Sequence, residues 1–248
     1  MIESRPAFLT AEWRHLAMVS YAVDPAVVRP LVPAGTELDD WQGRTFVSLV
    51  GFLFLDTRVR GIRIPLHRDF EEVNLRFYVR RRTSEGWRRA VVFVKELVPR
   101  LAIALMARIF YGENYVAVPM SHRIEVANGR AEAIRRVSYR WRFEGRDNEI
   151  RVTARGEAHE IAAGSEQEFI TEHYWGYVRR QNGSTLEYKV DHPRWRAWTA
   201  QEARVECDVA RLYGERFAEY LTGTPTSAFL ADGSEVTVFT RTRLPAVG

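Results

Sequence analysis

Residues 72–80 alternate: Val73, Leu75, Phe77 and Val79 fall on one side, and Glu72, Asn74, Arg76, Tyr78 and Arg80 on the other. A period of two is that of a β-strand with two different faces. Residues 45–55 are apolar almost throughout, the pattern of a strand buried on both sides. Strand-like runs also cover 12–23, 88–97 (after a hairpin at Gly86), 115–126, 131–144, 149–161, 185–190, 195–205 and 235–240. Turns are expected at Gln42-Gly43, at Asn128-Gly129 and around Gly145.

Helical signals are fewer. Asp24-Pro25 supplies a cap and a first-turn proline for a short helix over 26–31. Ser165 with Glu168 forms a capping box for a helix running to about residue 175. A last helix over about 207–220 carries Leu212, Phe217 and Leu221 at helical spacing. Residues 99–111 stand apart, because the run from Leu101 to Met106 has no polar side-chain atom and is followed by Arg108. Pro99 suits the first helical position and Gly112 the left-handed residue beyond the end. A helix apolar on nearly every side is expected to be buried, and this one is too short to span a bilayer, which takes ~20 apolar residues.

About ten strands at hairpin spacing with three or four helices predict an α+β fold dominated by antiparallel β-sheet. No repeat, low-complexity stretch or linker divides the chain, so one domain over 1–248 is expected. That many strands tend to curl into a barrel-like sheet, whose interior can hold a small ligand in a central pocket.

The 248 residues are 46% hydrophobic and 27% charged, with a net charge of +4, the balance of a soluble globular protein. The arginines are spread along the chain, without the dense blocks of a nucleic-acid-binding arm, and no nucleic-acid partner is expected. One cysteine, Cys207, excludes an internal disulfide and a thiolate metal cluster. The N-terminus carries Glu3 and Arg5 without an apolar core segment, so no signal peptide is expected and the cytoplasm is the default location. No membrane partner is called for, and a homo-oligomer is compatible with the pattern.

There is no phosphate-binding glycine loop, dinucleotide fingerprint or nucleophile-elbow serine, and no histidine pair at ligand spacing. Neither a metal nor another cofactor is expected. What stands out is charge in apolar surroundings: Arg14, Glu72, Arg76 and Arg108, with His67 and Tyr115 close in sequence to two of them. If the polar side of the 72–80 strand lines a barrel, Glu72, Asn74 and Arg76 share one cavity; if it faces water, they are surface residues. A lone guanidinium at Arg108 needs either a ligand or a structural ion pair with Glu72 or Glu113. His173 and His192, each in a polar-aromatic cluster, are second-rank candidates.

Three segments together resemble a known family. The first is Trp13-Arg14-His15-Leu16 with Tyr21-Ala22-Val23-Asp24-Pro25 and Leu31-Val32-Pro33. The second is Phe70-Glu71-Glu72-Val73-Asn74-Leu75-Arg76-Phe77-Tyr78-Val79. The third is Arg108 through Tyr115, followed by Glu172-His173-Tyr174 and His192-Pro193-Arg194-Trp195. Their order and spacing, over about residues 8–205, identify the chain as similar to the YqjF-like uncharacterised bacterial family, a domain of unknown function in the acetoacetate decarboxylase-like superfamily. The resemblance implies a curved, barrel-like antiparallel sheet with a central pocket. It also implies that Arg14 stands where the decarboxylases bind the substrate carboxylate and that Glu72 is the pocket glutamate. The superfamily's Schiff-base lysine and its neighbour are replaced by Tyr115 and Val116, and the chain's only lysines are Lys95 and Lys189. Imine formation needs an amine nucleophile, so a Schiff-base acetoacetate decarboxylase is not expected.

The residues and the resemblance together point to a pocket for a small organic anion, a carboxylate or keto acid. Arg14 and Arg108 would hold the anion, with Arg76, Asn74 and His67 also binding. Glu72 would serve as general acid/base and Tyr115 as donor to a developing oxyanion, in a lyase-type or proton-transfer step. The alternative is a non-catalytic interaction or scaffold module whose arginines and glutamates are locked in structural pairs, which predicts a filled interior.

Overall fold

In the computed structural model, residues 5–110, 112–127 and 134–244 are described, with backbone alone at 106–110, 127 and 134. The strands are β1 (Ala7–Val23), β2 (Glu37–Leu38), β3 (Thr45–Val59), β4 (Ile62–Arg63), β5 (Phe70–Thr83), β6 (Gly86–Val98), β7 (Tyr115–Ala117) and β8 (Met120–Ala127), followed by β9 (Ile134–Phe143), β10 (Arg146–Arg155), β11 (His159–Glu160), β12 (Trp175–Arg179), β13 (Thr185–Asp191), β14 (Arg196–Glu206), β15 (Ser227–Phe239) and β16 (Thr242–Arg243). The helices are α1 (Pro25–Val28), α2 (Leu101–Phe110), α3 (Glu166–Thr171), α4 (Val209–Tyr213) and α5 (Glu215–Leu221). The expected turn at Asn128-Gly129 lies outside the described residues.

The strands close into a ring. In pairing order it runs β1, β3, β5, β6, β12, β13 and β15, and β15 returns to β1. Every pairing around it is antiparallel except β6 with β12, which is parallel and two residue pairs long. From β15 the sheet continues through β14, β10, β9 and β8. This arm folds back over the outside of the ring, so that Val137, Tyr139, Ile150 and Val152 share a core with Leu49, Val73, Leu75 and Phe77. A second core faces the ring interior and includes Leu16, Phe46, Phe52, Phe54, Phe70 and Tyr78.

The two cores account for the sequence pattern. In β3, Val47, Leu49 and Leu53 meet the outer arm, while Phe46, Val50, Phe52 and Phe54 face inward. An element covered on both sides must be apolar at both parities. Gly51 marks the closest approach of the two layers. A Cβ there would lie 2.5 Å from Tyr139 Cδ2 and 3.2 Å from Ile150 Cγ2. The Gly51→Ala substitution is expected to cost about 1–3 kcal/mol through overpacking, read as a lower denaturation midpoint; an unchanged midpoint would show that the layers can part freely.

Three elements depart from the sequence reading. The α2 helix is not buried all round: Ala104 is buried, but Leu101 is 64% and Leu105 45% exposed, so the described part of the helix lies over the barrel with apolar residues turned outward. The helix expected over 207–220 is broken into α4 and α5 by Gly214, whose φ of 104° is outside the helical region. The helix expected to reach residue 175 stops at Thr171, and a separate strand, β12, begins at Trp175. Among the described residues no helix is long and apolar enough to cross a membrane.

Candidate functional site

The ring encloses a cavity of about 420 Å³. All seven of its strands contribute to the wall, among them Trp13 of β1, Phe52 of β3, Glu72 of β5, Glu96 of β6, Trp175 of β12, Tyr188 of β13 and Val238 of β15. Ile64 and His67 on one side and Ala102 and Ile103 of α2 on another complete it. The interior is hollow, not filled as the scaffold reading requires.

Strand alternation sends Glu72, Asn74 and Arg76 inward together, and all three are buried. Asn74 Nδ2 donates to Glu72 Oε1 at 2.9 Å, and the Tyr115 hydroxyl donates to Glu72 Oε2 at 3.0 Å. Burial drives the Glu72 carboxyl up to about 7, against the opposing pull of Asn74, Tyr115 and the Arg76 charge. Two further carboxyl groups enter the same cavity. Pairing sets Glu96 opposite Asn74 across β5 and β6, and opposite Tyr115 across β6 and β7. Glu113 follows α2 and accepts from the Tyr188 hydroxyl at 2.9 Å. Tyr188 reaches it over Gly176, where a Cβ would lie 2.2 Å from the phenol ring.

Burial, with the Glu72 charge adding to it, pushes Glu113 up to about 8. Burial also raises Glu96 well above the usual carboxylate range, with Glu113 and Glu72 reinforcing the shift. Three carboxyl groups in one low-dielectric site resist ionising together. Near neutral pH the site therefore offers carboxylic acids that can donate a proton and one group, Glu72, poised to exchange it.

Arg76 donates from one terminal nitrogen to the Ile170 carbonyl at 3.2 Å, and its Nε has no partner among the described residues. Asn74 Oδ1 and Glu96 Oε2 are likewise buried and unpartnered. Leaving such atoms unsatisfied is costly, and three of them on residues of one cavity mark a place built for polar contacts. His173 lines the wall nearby, with Nε2 3.7 Å from Asp39 Oδ2, beyond ordinary hydrogen-bond length. Burial lowers it to about 4 despite Asp39, so the ring is neutral. His192 also lines the cavity, stacked on Trp195 at 4.4 Å between centroids. His67 is half-buried at the wall, its Nδ1 2.8 Å from the Pro65 carbonyl.

The structure thus brings together Glu72, Asn74, Arg76, Tyr115 and His67, but not Arg14. The backbone of His15 has a φ of 57°, and the β1–β3 register shifts between Arg14 and Ala17. This bulge switches parity. Trp13 before it and Leu16 after it face inward, while Arg14 turns out to meet Glu12 at 2.8 Å and the Gly233 carbonyl at 3.2 Å. The Arg108 side chain lies outside the described residues. Sequence reading passed over Glu96 and Tyr188 and treated Glu113 only as an ion-pair partner. The available signal for Glu96 was an acidic residue at the end of a largely apolar strand.

A family model described as uncharacterised conserved proteins, DUF2071, matches residues 10–235. The chain belongs to the DUF2071 family. The uncharacterised protein YqjF of Bacillus subtilis (strain 168) is 30% identical over 202 residues, covering 79% of this chain and 76% of that protein. Among solved structures, an acetoacetate decarboxylase-like enzyme from Sphingomonas wittichii RW1 is similar with a TM-score of 0.68 at 15% identity, covering 98% of this chain and 95% of the other. The enduracididine biosynthesis enzyme MppR complexed with pyruvate gives 0.66 at 14%, covering 98% and 92%. The acetoacetate decarboxylase of Legionella pneumophila gives 0.62 at 12%, covering 98% and 90%. The fold of this DUF2071 protein is therefore acetoacetate decarboxylase-like, as the sequence implied.

The two lysines of this DUF2071 chain both lie away from the cavity. Lys95 turns to the outside of the ring, toward the Leu212 carbonyl and the Phe143 ring, and Lys189 lies 3.4 Å from Asp191. Neither lines the cavity. Among the described residues no group of three or more His, Cys, Asp or Glu side chains is arranged to hold a metal.

Proposed function

We propose that the cavity binds a small organic acid, a carboxylate or keto acid, and that Glu72 exchanges a proton with it. One observation carries this reading: a buried guanidinium, Arg76, shares a strand face and an apolar cavity with a carboxyl group whose pKa is about 7. Arg76 takes the anion-holding role that the sequence gave to Arg14 and Arg108, with Asn74 beside it on the strand and His67 elsewhere on the wall. A proton leaves the carbon next to the ligand carbonyl for the Glu72 carboxylate, and the electron pair moves onto the carbonyl oxygen. Tyr115, its hydroxyl hydrogen turned from Glu72 once that group is protonated, and the neutral acid of Glu96 or Glu113 donate hydrogen bonds to that oxygen. The pyruvate-bound relative MppR supports a small-molecule site in this fold. The protein is read as cytoplasmic.

The test has two readouts. Pyruvate or acetoacetate is expected to raise the melting temperature, and Arg76→Gln to weaken binding roughly 10- to 100-fold, the usual worth of a hydrogen bond to a charged group. Proton–deuterium exchange at the carbon next to the ligand's ketone carbonyl (the methyl group of pyruvate), followed by NMR, is expected in the wild type and lost in Glu72→Gln. No thermal response to either acid, or an unweakened Arg76→Gln, would refute the binding role. Exchange that persists in Glu72→Gln would refute the proton-transfer role.

A further inference from the structure

The polar residues of the cavity account for a small part of its wall. The rest is apolar, part aliphatic and part aromatic, and several of the rings are ordered among themselves. Trp13 meets Phe52 edge-on at 5.3 Å and Phe54 at 5.8 Å, Phe54 stacks on Phe70 at 4.7 Å with 13° between planes, and Trp195 closes on Trp13 at 6.4 Å. Rings that serve only as core pack until no void remains; here each of the five also borders the 420 Å³ cavity. That volume lies within the ~300–1,000 Å³ range of pockets for ligands much larger than a three-carbon acid. An acid of that size seated on Arg76 and Glu72 would leave the aromatic lobe to water, which needs two to four polar partners per molecule.

We infer that the ligand of this cavity is an aryl-substituted oxo acid, its ring seated against Trp13, Phe52, Phe54, Phe70 and Trp195 while its carboxylate meets Arg76. This rests on the proposed organic-acid reading and narrows it to one substrate class. Edge-to-face and offset contacts with the Trp13 and Phe54 rings would hold an aryl group in a fixed orientation, which an alkyl chain of equal area would not share.

Matched ligands separate the two claims. By calorimetry, phenylpyruvate is expected to bind roughly 10- to 100-fold tighter than pyruvate, the gain from burying a phenyl-sized group. Phe54→Leu should weaken phenylpyruvate more than pyruvate and so shrink that ratio several-fold. Saturation-transfer difference NMR on the wild-type protein needs no variant, and the ring protons of phenylpyruvate should show the strongest signals. Equal affinities, tighter pyruvate, or weak ring signals would overturn the aryl inference while the organic-acid reading stands. If neither acid binds, both fall.

Discussion

Raising the pH from 6.5 to about 8.5 is expected to lower the protein's melting temperature by about 4–8 °C, a loss on the order of 2 kcal/mol. The cause is the buried carboxyl group set. Glu72 and Glu113 titrate near 7 and 8 in the folded protein against an ordinary 4.5, and Glu96 is raised as well. Between those values the folded state holds protons that the unfolded chain has already released. The resulting stability is complete below about pH 4.5 and is lost as the pH rises through 7 to 8. The buried His173 and His192 and the half-buried His15 are shifted the other way, below 6.5. They raise stability with increasing pH until the unfolded histidines have deprotonated, about a unit above 6.5, so they offset part of the carboxyl effect at the lower end of the interval and leave it unopposed at the upper end. Melting followed by circular dichroism checks this. The Glu72→Gln, Glu113→Gln double variant should flatten the slope, and an undiminished slope would assign it to other groups.

Replacing Glu187 with alanine should have the largest effect on stability, about 3–5 kcal/mol, or a fall in melting temperature of roughly 6–20 °C. Glu187 is buried at the point where the ring closes. Its Oε1 accepts from Arg5 and Arg88, each at 3.0 Å, and its Oε2 from Tyr177 at 2.8 Å and Arg81 at 3.4 Å. Burial alone would raise this carboxyl; the Tyr177 and Arg5 hydrogen bonds and the Arg88 charge outweigh it and hold the group below its usual value. The donors come from β5, β6, β12 and the segment before β1, gathered on β13 beside the two-residue parallel pairing of β6 with β12. Removing the carboxylate leaves three guanidinium groups close together without their shared acceptor. Because the same seam bounds the cavity, loss of ligand binding should accompany the loss of stability. A variant with wild-type melting would show that the arginines find other partners.

The opposite shifts of Glu187 and of the three cavity glutamates follow from their partners. Glu187 is surrounded by cations and stays ionised, while Glu72, Glu96 and Glu113 are surrounded by one another, by phenols and by apolar walls. Distance along the chain does not reveal the difference, since Glu187 and Tyr188 are neighbours and face opposite settings.

Some of this was present in local pattern. The alternation at 72–80 is a property of nine consecutive residues, and it placed Glu72, Asn74 and Arg76 on one face, as observed. The unbroken apolar run of β3 announced burial on both sides, and Gly112 adopts the left-handed conformation, φ 75°, expected past a helix end. The lack of a lysine beside Tyr115 is likewise plain from the chain alone. Other features depended on pairing between distant segments. Whether the polar face of β5 met water or a cavity was settled by closure of the ring through β13 and β15. Glu96, Glu113 and Tyr188 come from three separate elements that only strand order brings together. The bulge at His15 reversed the parity of β1, exchanging Arg14 for Trp13 in the cavity, and exposed apolar residues on α2 followed from where that helix lies over the barrel.

The sequence by itself determined which residues share a strand face and which turns are allowed, because backbone sterics and hydrophobic period act over a few residues. Only the tertiary structure decided which faces meet, which carboxyl groups share protons and which guanidinium enters the cavity. Those outcomes depend on solvent exclusion and electrostatic coupling between segments a hundred residues apart.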